Sequence, residues 1–262
     1  MSTLLRLDGI TCQFGGVRAV DGVSFDLEAG RVYGLIGPNG AGKTTLLNII
    51  SGLQPPTAGE VWLGGQRIDR WPAHRIAAAG VARTFQNIRL FPGMSVLGNV
   101  QVGQHLVNHT GLWQRLIWSP GGREEEARMR ADAEALLVQT RLANLADRRA
   151  DELAYGQQRR LEMARALASN PRLLLLDEPA AGMNHTEIGA LAELIASLAS
   201  GGRTVLLIEH NVALVMQVCD HIIVLDFGRK IAEGTPEAIS CDPAVISAYL
   251  GNEEPVEEAH GA

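Results

Sequence analysis

The sequence predicts an α/β fold built on a mostly parallel sheet, with a smaller antiparallel sheet beside it. Residues 31–36 end in an apolar run and lead through a glycine-rich loop into residues 46–53, whose apolar side chains have helical spacing. In the second half of the chain, apolar runs alternate with helical segments, which is typical of a parallel sheet. Residues 4–27 and 61–63 have the short, loosely alternating pattern of antiparallel strands.

The glycine-rich loop has the pattern G-x-x-x-x-G-K-T between a predicted strand and a predicted helix. Its residues are Gly37, Pro38, Asn39, Gly40, Ala41, Gly42, Lys43, Thr44 and Thr45. The glycines let the backbone curl so that N–H groups and the helix N-terminus face phosphate groups, while Lys43 reaches the outer phosphates and Thr44 offers its hydroxyl to Mg²⁺. The alternative is an ordinary glycine turn that closes a βα unit. Such a turn would not need the complete motif, so the motif favours phosphate binding.

Composition limits the class of protein. The chain has 262 residues, of which 46% are hydrophobic, enough for one large or two modest domains with a real core. The formal net charge of −6 argues against a surface that coats nucleic acid. The N-terminus has no apolar signal stretch and no window has 18 apolar residues, so we expect contact with a membrane only through a partner. Three isolated cysteines fit reduced thiols in cytosol: Cys12, Cys219 and Cys241.

Residues 80–86 have the pattern of a strand with a polar end, after which the sequence changes character. An aromatic amphipathic patch at 112–118 precedes a charged helix predicted over 123–140. The residues expected on the inner face of that helix are Met129, Ala133, Leu136 and Leu137. The aromatic patch fits either a cover over this helical region or a docking surface.

The remaining segments continue the alternation. Predicted strands at 173–176 and 204–208 alternate with helices at 187–199 and 212–218. The tripeptide Asp-Phe-Gly at 226–228 has the composition of a hairpin turn. The same tripeptide occurs in kinases, but no histidine-arginine-aspartate loop accompanies it here, so coincidence is the better interpretation.

Polar residues follow three predicted strands at the edge where α/β sheets bind ligands. These residues, expected near the loop at 37–45, are Gln86, Asp177 with Glu178, and Glu209 with His210. Asp177 has the position of a carboxylate that helps to hold Mg²⁺, and Glu178 that of a base that polarises a water against the γ-phosphate. Each residue alone could be a surface residue or the start of a turn, but the combination with a complete phosphate loop favours function.

A second glycine-containing segment precedes a helix predicted at 158–168. Its residues are Leu153, Ala154, Tyr155, Gly156 and Gln157. Because a helix N-terminus attracts anions, the segment predicts a second phosphate-facing surface. An ordinary helix start is the alternative interpretation.

Taken in order, these motifs resemble the ATP-binding subunit of an ABC transporter. They are the loop 37–45, Gln86, LAYGQQRRLEMARALA at 153–168, LLLLDEP at 173–179 and His210. The resemblance covers about residues 4–250. The chain looks most like the branched-chain or hydrophobic amino-acid importer type because of LAYGQQRR, the DEPAAGMN string and the tryptophan-containing insertion before residue 123.

The resemblance implies a P-loop NTPase (RecA-like) core with an antiparallel β subdomain and an inserted α-helical subdomain, an ABC ATPase cassette. The implied boundaries are 1–250 for a single domain, 1–86 and 158–235 for its core with the β subdomain, 87–157 for the helical subdomain and 251–262 for an acidic tail. Residues 235–250 are expected to form one last helical stretch.

The resemblance further implies an Mg-ATP hydrolase that powers an importer from the cytoplasmic face of the membrane. Two cassettes, either two copies of this chain or this chain with a paralogue, would close on two ATP molecules, each between one phosphate loop and the partner's residues 153–157. Phe14 would stack on adenine, Gln86 would sense Mg²⁺ and the membrane partner, and His210 would contact the γ-phosphate. Polytopic permease subunits would dock on the helical subdomain, an extracytoplasmic substrate-binding protein would take part indirectly, and nucleic acid would not be a partner.

Two segments depart from the general pattern of that family. Ala154 and Tyr155 stand where serine and glycine are usual, so the serine hydroxyl that would contact the γ-phosphate across the dimer is absent. The Gly156 N–H would have to supply more of that contact. Residues 181–184, Ala-Gly-Met-Asn, replace the usual serine-alanine-leucine-aspartate, so Asn184 takes the acidic position. These departures resemble the amino-acid importer type.

Other functions compete with amino-acid import. An ATPase for urea import or lipopolysaccharide export has a similar layout, and the cargo never touches this subunit. A non-transport ABC protein acting on ribosomes or DNA usually carries two cassettes or a coiled-coil arm, whereas this chain has one cassette and no heptad run. A GTP switch needs an Asn-Lys-x-Asp sequence, and neither Lys43 nor Lys230 follows an asparagine.

Overall fold

The computed structural model describes residues 2–104 and 120–250. The strands are β1 (Thr3–Phe14), β2 (Val17–Glu28), β3 (Val32–Ile36), β4 (Ala58–Leu63), β5 (Gln66–Arg67), β6 (Val81–Arg83), β7 (Leu173–Asp177), β8 (Thr204–Ile208), β9 (His221–Asp226) and β10 (Arg229–Gly234). The aromatic patch at 112–118 and the acidic tail at 251–262 lie outside the described residues.

The α-helices of the described residues surround these strands. They are α1 (Lys43–Ile50), α2 (Ala73–Ala78), α3 (Val96–Gly103), α4 (Pro120–Gln139), α5 (Tyr155–Leu167), α6 (His185–Ser200), α7 (Val212–Val218), α8 (Pro236–Ser240) and α9 (Pro243–Leu250). Within the described ranges, a search for a helix both long and apolar enough to span a membrane finds none.

The smaller sheet is antiparallel, as the alternating pattern predicts. Its strand order is β2-β1-β4-β5. In β1 the buried Leu5 and Leu7 alternate with the exposed Arg6 and Asp8, so one face packs on the core and the other meets solvent.

The larger sheet has the strand order β10-β9-β3-β8-β7-β6, and all its pairs are parallel except β9 with β10. Its central strands are buried on both faces. In β7, Leu173 and Leu175 enter one apolar cluster, which the smaller sheet and α1 share, while Leu174 and Leu176 enter a second cluster with α6 and α7. The predicted parallel sheet is confirmed, and each face is covered.

The hairpin predicted at 226–228 joins β9 to β10. Phe227 and Gly228 have positive φ values of 41° and 78°, the conformation that a two-residue turn needs to match the twist of its strands. The strand predicted over 80–86 is shorter than expected. It ends at Arg83, and Gln86 therefore lies three residues beyond the sheet.

A third apolar cluster joins α3, α4 and α5. Ala133 and Leu137 of α4 are buried in it, and Met129 and Leu136 are partly buried, so the predicted inner face is confirmed. Two predicted boundaries are wrong by three residues. Helix α4 begins at Pro120 and not at 123, and α5 begins at Tyr155 and not at 158.

Helix α5 begins early because its first turn caps itself. The Gln157 side-chain oxygen accepts a hydrogen bond from the Ala154 N–H at 3.0 Å, which satisfies a donor that the helix leaves free. The subdomain boundary expected between residues 157 and 158 therefore falls within the first turn of α5.

The expected single helical stretch at 235–250 is wrong, because the structure has two helices, α8 and α9. Pro243 has no N–H to continue α8, and a residue before proline disfavours the helical conformation. The Asp242 carboxylate instead accepts a hydrogen bond from the Ala244 N–H at 2.8 Å and caps α9.

The three cysteines differ in exposure, and this predicts their reactivity. Cys12 and Cys219 are buried and Cys241 is exposed. Burial raises the pKa of the Cys219 thiol to about 12 and also raises the pKa of Cys12, so neither is a thiolate near neutral pH.

A chromogenic disulfide reagent should label one thiol rapidly in the native protein, and Cys241→Ser should remove that phase. Rapid labelling of Cys219 in the folded chain would contradict the described packing.

Candidate active site

The phosphate loop is seated against two strands in a way that only glycine allows. A Cβ atom on Gly37 would lie 2.1 Å from the Leu225 carbonyl oxygen of β9, and one on Gly42 would lie 2.4 Å from the Ala19 carbonyl oxygen of β2. Both glycines also have positive φ values, 148° and 98°. The loop therefore keeps its curl through direct backbone contact with both sheets.

Lys43, the first residue of α1, turns its ammonium group into this loop. It is only 6% exposed, and its Nζ donates to the carbonyl oxygens of Gly37 at 2.7 Å and Pro38 at 2.9 Å. Burial lowers the pKa of Lys43, and the nearby carboxylates of Glu178 and Asp177 oppose that effect. A buried cation inside a glycine-rich loop at a helix N-terminus fits a phosphate anion.

The parallel register brings the polar strand ends to one edge of the sheet. Ile208 at the end of β8 pairs with both Leu35 of β3 and Asp177 of β7. Arg83 of β6 pairs with Leu175 of β7. Gln86 follows Arg83 by three residues and Glu178 follows Leu175 by three residues, so both come just beyond their strands at the same edge. The predicted clustering follows from this register.

Glu178 lies at the centre of the cluster. Its Oε1 is 2.6 Å from His210 Nε2, and its Oε2 accepts a hydrogen bond from Gln86 Nε2 at 3.0 Å. The backbone of Glu178 has a φ of 50°, a left-handed conformation that non-glycine residues rarely adopt, and its N–H donates to the Ile208 carbonyl at 2.9 Å. The structure therefore brings together Gln86, Glu178 and His210, three of the residues predicted at strand ends, while their catalytic roles stay predictions.

Asp177 is buried, and an arginine that the sequence analysis gave no role neutralises it. Arg83 Nη2 lies 2.9 Å from Asp177 Oδ2, and both side chains are less than a tenth exposed. The same guanidinium donates to Asn48 Oδ1 at 2.7 Å and Ser51 Oγ at 3.2 Å, both in or next to α1. One arginine thus ties β6 and β7 to the helix that follows the phosphate loop.

Glu209 fixes the loops on either side of the cluster. Its carboxylate accepts hydrogen bonds from the N–H groups of Ala180 at 2.6 Å, His210 at 3.1 Å and Asn211 at 3.3 Å. Burial raises the pKa of Glu209, and these three donors counteract the rise. The sequence marks Glu209 only as a polar residue after a strand, and its structural role depends on contacts that the sequence does not reveal.

The segment 153–157 packs against the loop that follows Glu178. A Cβ on Gly182 would lie 2.9 Å from the Tyr155 ring, and a Cβ on Gly156 would lie 2.2 Å from Glu187 Oε1. Leu153 is buried, whereas Tyr155 is 46% exposed. The segment therefore presents a partly exposed face while its position is fixed by close backbone packing.

Phe14 lies at the exposed end of β1, opposite Val17 at the start of β2. Its side chain is 50% exposed. Since Ala19 of β2 contacts Gly42, Phe14 belongs to the hairpin that supports the phosphate loop.

The residues expected to hold Mg²⁺ fit a site in which the nucleotide and water supply the other ligands, rather than a site made of protein ligands alone. In the described part of the chain, no group of three or more His, Cys, Asp or Glu side chains is arranged to bind a metal. Magnesium in nucleotide sites is held by few protein groups, among them one or two carboxylates, and completes its shell with phosphate and water. The exposed Thr44 hydroxyl, the Asp177 carboxylate and the Gln86 amide offer such oxygens.

Comparison with known families agrees with this geometry. Residues 20–181 match the ABC transporter family, and residues 229–255 match the branched-chain amino acid ATP-binding cassette transporter family. The chain therefore belongs to the ABC transporter family, as an ATP-binding cassette that couples ATP hydrolysis to transport.

Its relatives place it more narrowly. It is 47% identical to the high-affinity branched-chain amino acid transport ATP-binding protein BraF of Pseudomonas aeruginosa, over 95% of this chain and 98% of the relative. It is 45% identical to the corresponding protein LivG of Escherichia coli (strain K12), over the same shares. The resemblance to the branched-chain importer type is confirmed.

Solved structures confirm the fold class. The ADP conformation of MJ1267, an ATP-binding cassette of an ABC transporter, matches with a TM-score of 0.83 and 33% identity, over 96% of this chain and all of that one. The dimeric post-hydrolysis structure of the cassette MJ0796, bound to ADP and Pi, matches with a TM-score of 0.76 and 25% identity, over 89% of this chain and 99% of that one.

Loss of the buried arginine should destabilise the chain strongly. Arg83→Met would leave Asp177 buried without its cation, and breaking such a pair from one side costs about 3 kcal/mol or more. Urea unfolding should therefore move to a clearly lower midpoint. Arg6→Met, which removes the exposed pair with Asp26, is the matched control and should leave the midpoint nearly unchanged. Equal midpoints for both variants would contradict a structural role for Arg83.

Proposed function

We propose that this chain is the Mg-ATP-hydrolysing subunit of an importer for branched-chain or other hydrophobic amino acids. The observation that carries the proposal is Glu178, held between Gln86 and His210 beside a complete phosphate loop. The cargo named for relatives at 45–47% identity supports the choice of amino acids. Urea import and lipopolysaccharide export are the alternatives for cargo.

The phosphate loop binds the β- and γ-phosphates in this proposal. Its backbone N–H groups face the phosphate oxygens, and the Lys43 ammonium leaves its two carbonyl partners to contact the outer phosphates. The exposed ring of Phe14 stacks on adenine. The full set of nucleotide-binding residues is then Phe14, 37–45 of this chain and 153–157 of the partner cassette.

Glu178 acts as the general base. Its carboxylate accepts the proton of a water that attacks the γ-phosphate, and the P–O bond to ADP breaks. His210 and Gln86 orient this carboxylate now, and both would face the γ-phosphate region once ATP is bound. Mg²⁺, held by Thr44, Gln86 and Asp177, would neutralise charge on the phosphate oxygens.

A second cassette completes each site in the proposal. Residues 153–157 have a partly exposed face on the described surface, with Tyr155 at 46% exposure, and the related cassette MJ0796 is dimeric. We therefore infer a pair formed by two copies of this chain or by this chain and a paralogue.

Membrane subunits dock, we infer, on an apolar groove between the sheet and the helical cluster. The groove has a volume of about 390 Å³ and is lined by Leu53, Ile76, Phe85, Phe91 and Val102, among others. Leu53 and Phe91 are half exposed, so an apolar helix from a permease subunit would bury them. The chain would thus lie on the cytoplasmic membrane face, as one domain over 1–250 with its helical subdomain at 87–157.

Removing the base should separate binding from hydrolysis. Glu178→Gln keeps the size of the side chain and removes the proton acceptor, so turnover should fall by about 10²-fold or more while ATP affinity stays. Steady-state phosphate release and equilibrium nucleotide binding measure the two quantities. Unchanged turnover would exclude Glu178 as the base.

Lys43→Ala provides the contrasting result. It removes the buried cation of the loop, so ATP affinity itself should fall. Normal affinity in this variant would contradict the assignment of the phosphate loop.

Partner and cargo can be tested by co-purification. Tagged chain recovered from mildly solubilised native membranes should carry two polytopic permeases, with or without a second cassette, as identified by mass spectrometry. An amino-acid-binding protein that stimulates ATP hydrolysis by the recovered complex would support the cargo. Recovery of ribosomal or DNA-repair proteins without a permease would overturn the transport proposal.

A further inference from the structure

Two charged side chains are buried on α5, next to residues that are otherwise apolar. Arg159 is 3% exposed and Glu162 is 2% exposed, and they form an ion pair at 3.5 Å. The neighbouring Leu161, Met163 and Ala164 are also buried. Since burying two charges is costly unless their remaining polar atoms are satisfied, the partners of this pair are informative.

Backbone groups of Phe85 and Gln86 are among those partners. Arg159 Nη1 donates to the Phe85 carbonyl at 2.8 Å, and Nη2 donates to the Gln86 carbonyl. Glu162 Oε1 accepts from the Phe85 N–H at 3.3 Å. The pair therefore holds both backbone polar groups of Phe85 and the carbonyl of Gln86.

Gln86 needs this support because it lies beyond the sheet. Strand β6 ends at Arg83, and the Thr84 N–H still donates to the Leu175 carbonyl of β7 at 3.0 Å. After that residue the backbone contacts described for Phe85 and Gln86 come from α5. The side chain of Gln86 nevertheless reaches Glu178 Oε2 at 3.0 Å.

Arg159 also contacts the segment 153–157. Its Nη2 donates to the Tyr155 hydroxyl oxygen at 2.8 Å, while the Tyr155 ring packs on Gly182. A continuous set of contacts thus runs from Tyr155 through Arg159 and Gln86 to Glu178.

We propose that Arg159 is a positioning residue for ATP hydrolysis, because it holds Gln86 in reach of Glu178 and links that position to Tyr155. The proposal rests on the proposed function, in which Tyr155 faces the nucleotide of the partner cassette. A displacement of segment 153–157 at one nucleotide site then shifts Gln86 at the other. The two sites of the pair are coupled through each chain's own buried arginine.

The test uses a paired variant of the full-length chain, Arg159→Met with Glu162→Gln. This variant removes both charges of the pair, so that neither is left buried without the other, and the glutamine oxygen can still accept from the Phe85 N–H. The matched control is Arg130→Met with Glu134→Gln, which removes an exposed arginine–glutamate pair from α4. Urea unfolding, ATP affinity and the steady-state kcat are measured for each.

We expect the paired variant to fold and to bind ATP within about threefold of wild type, with kcat lower by about tenfold or more, since small misplacements near the reacting groups are costly. The control should match wild type in all three measurements. A folded paired variant with unchanged kcat would overturn the proposal. A wild-type chain that neither binds nor hydrolyses ATP would instead overturn the proposed function itself.

A double-mutant cycle separates positioning from general stabilisation. If Arg159 acts through Gln86, adding Gln86→Ala to the paired variant should lower kcat by less than about twofold beyond the paired variant alone. Fully additive losses would show that Arg159 acts elsewhere and would overturn the proposal.

Two smaller changes cover the case in which the paired variant does not fold. Arg159→Lys keeps the buried charge beside Glu162 but lacks the fork that serves two carbonyls and a hydroxyl, so kcat should fall at unchanged ATP affinity. Tyr155→Phe removes only the hydroxyl and keeps the ring against Gly182, and kcat should fall by about threefold. Unchanged kcat in Arg159→Lys would overturn the role of Arg159, and unchanged kcat in Tyr155→Phe would overturn the link to Tyr155.

Discussion

The buried ion pair between Arg83 and Asp177 is the interaction on which the candidate site depends. Strand β7 carries four consecutive leucines, and both faces of the sheet are apolar, so hydrophobicity alone does not decide which leucine faces which cluster. A slip of one residue would put Glu178 or Leu176 in the place of Asp177. The ion pair holds Asp177 beside β6 and α1, and the left-handed backbone of Glu178 then directs the next carboxylate towards His210 and Gln86. Register and chemistry are therefore fixed together.

The charges around the phosphate loop are balanced in a way that favours an anion. Burial lowers the pKa of Lys43, whose ammonium donates to two carbonyl oxygens. Two carboxylates lie nearby, but no direct ion pair is described for this ammonium. Asp177 already has its own cation in Arg83. A phosphate group arriving at the loop would meet a cation whose burial it compensates, so binding would return the pKa of Lys43 towards its ordinary value. The loop is therefore arranged for a charged ligand.

The sequence was sufficient to predict the residues at strand ends, because a polar residue after a buried strand has a defined place in a parallel sheet. It was insufficient for Arg83, Arg159 and Glu162, because a charged residue in an apolar pattern is most often a surface residue. The three-residue spacing of Arg159 and Glu162 on a helix with apolar neighbours was a signal, but their partners lie over 70 positions away. The break between α8 and α9 was readable from Pro243. The early start of α5 was not, since it depends on a glutamine that caps its own helix.

Glu178 and Gln86 are held by different parts of the molecule, and in the proposed function this difference would connect hydrolysis to the docking of a membrane subunit. The sheet fixes Glu178 through the Ile208 carbonyl, whereas α5 fixes Gln86 through Arg159. The distance between the two side chains therefore depends on how the helical cluster lies against the sheet. Arg159 also holds the backbone of Phe85, and Phe85 lines the apolar groove between the sheet and the helical cluster. A helix inserted in that groove would contact the residue next to Gln86, so the state of a membrane partner and the geometry around Glu178 would change together.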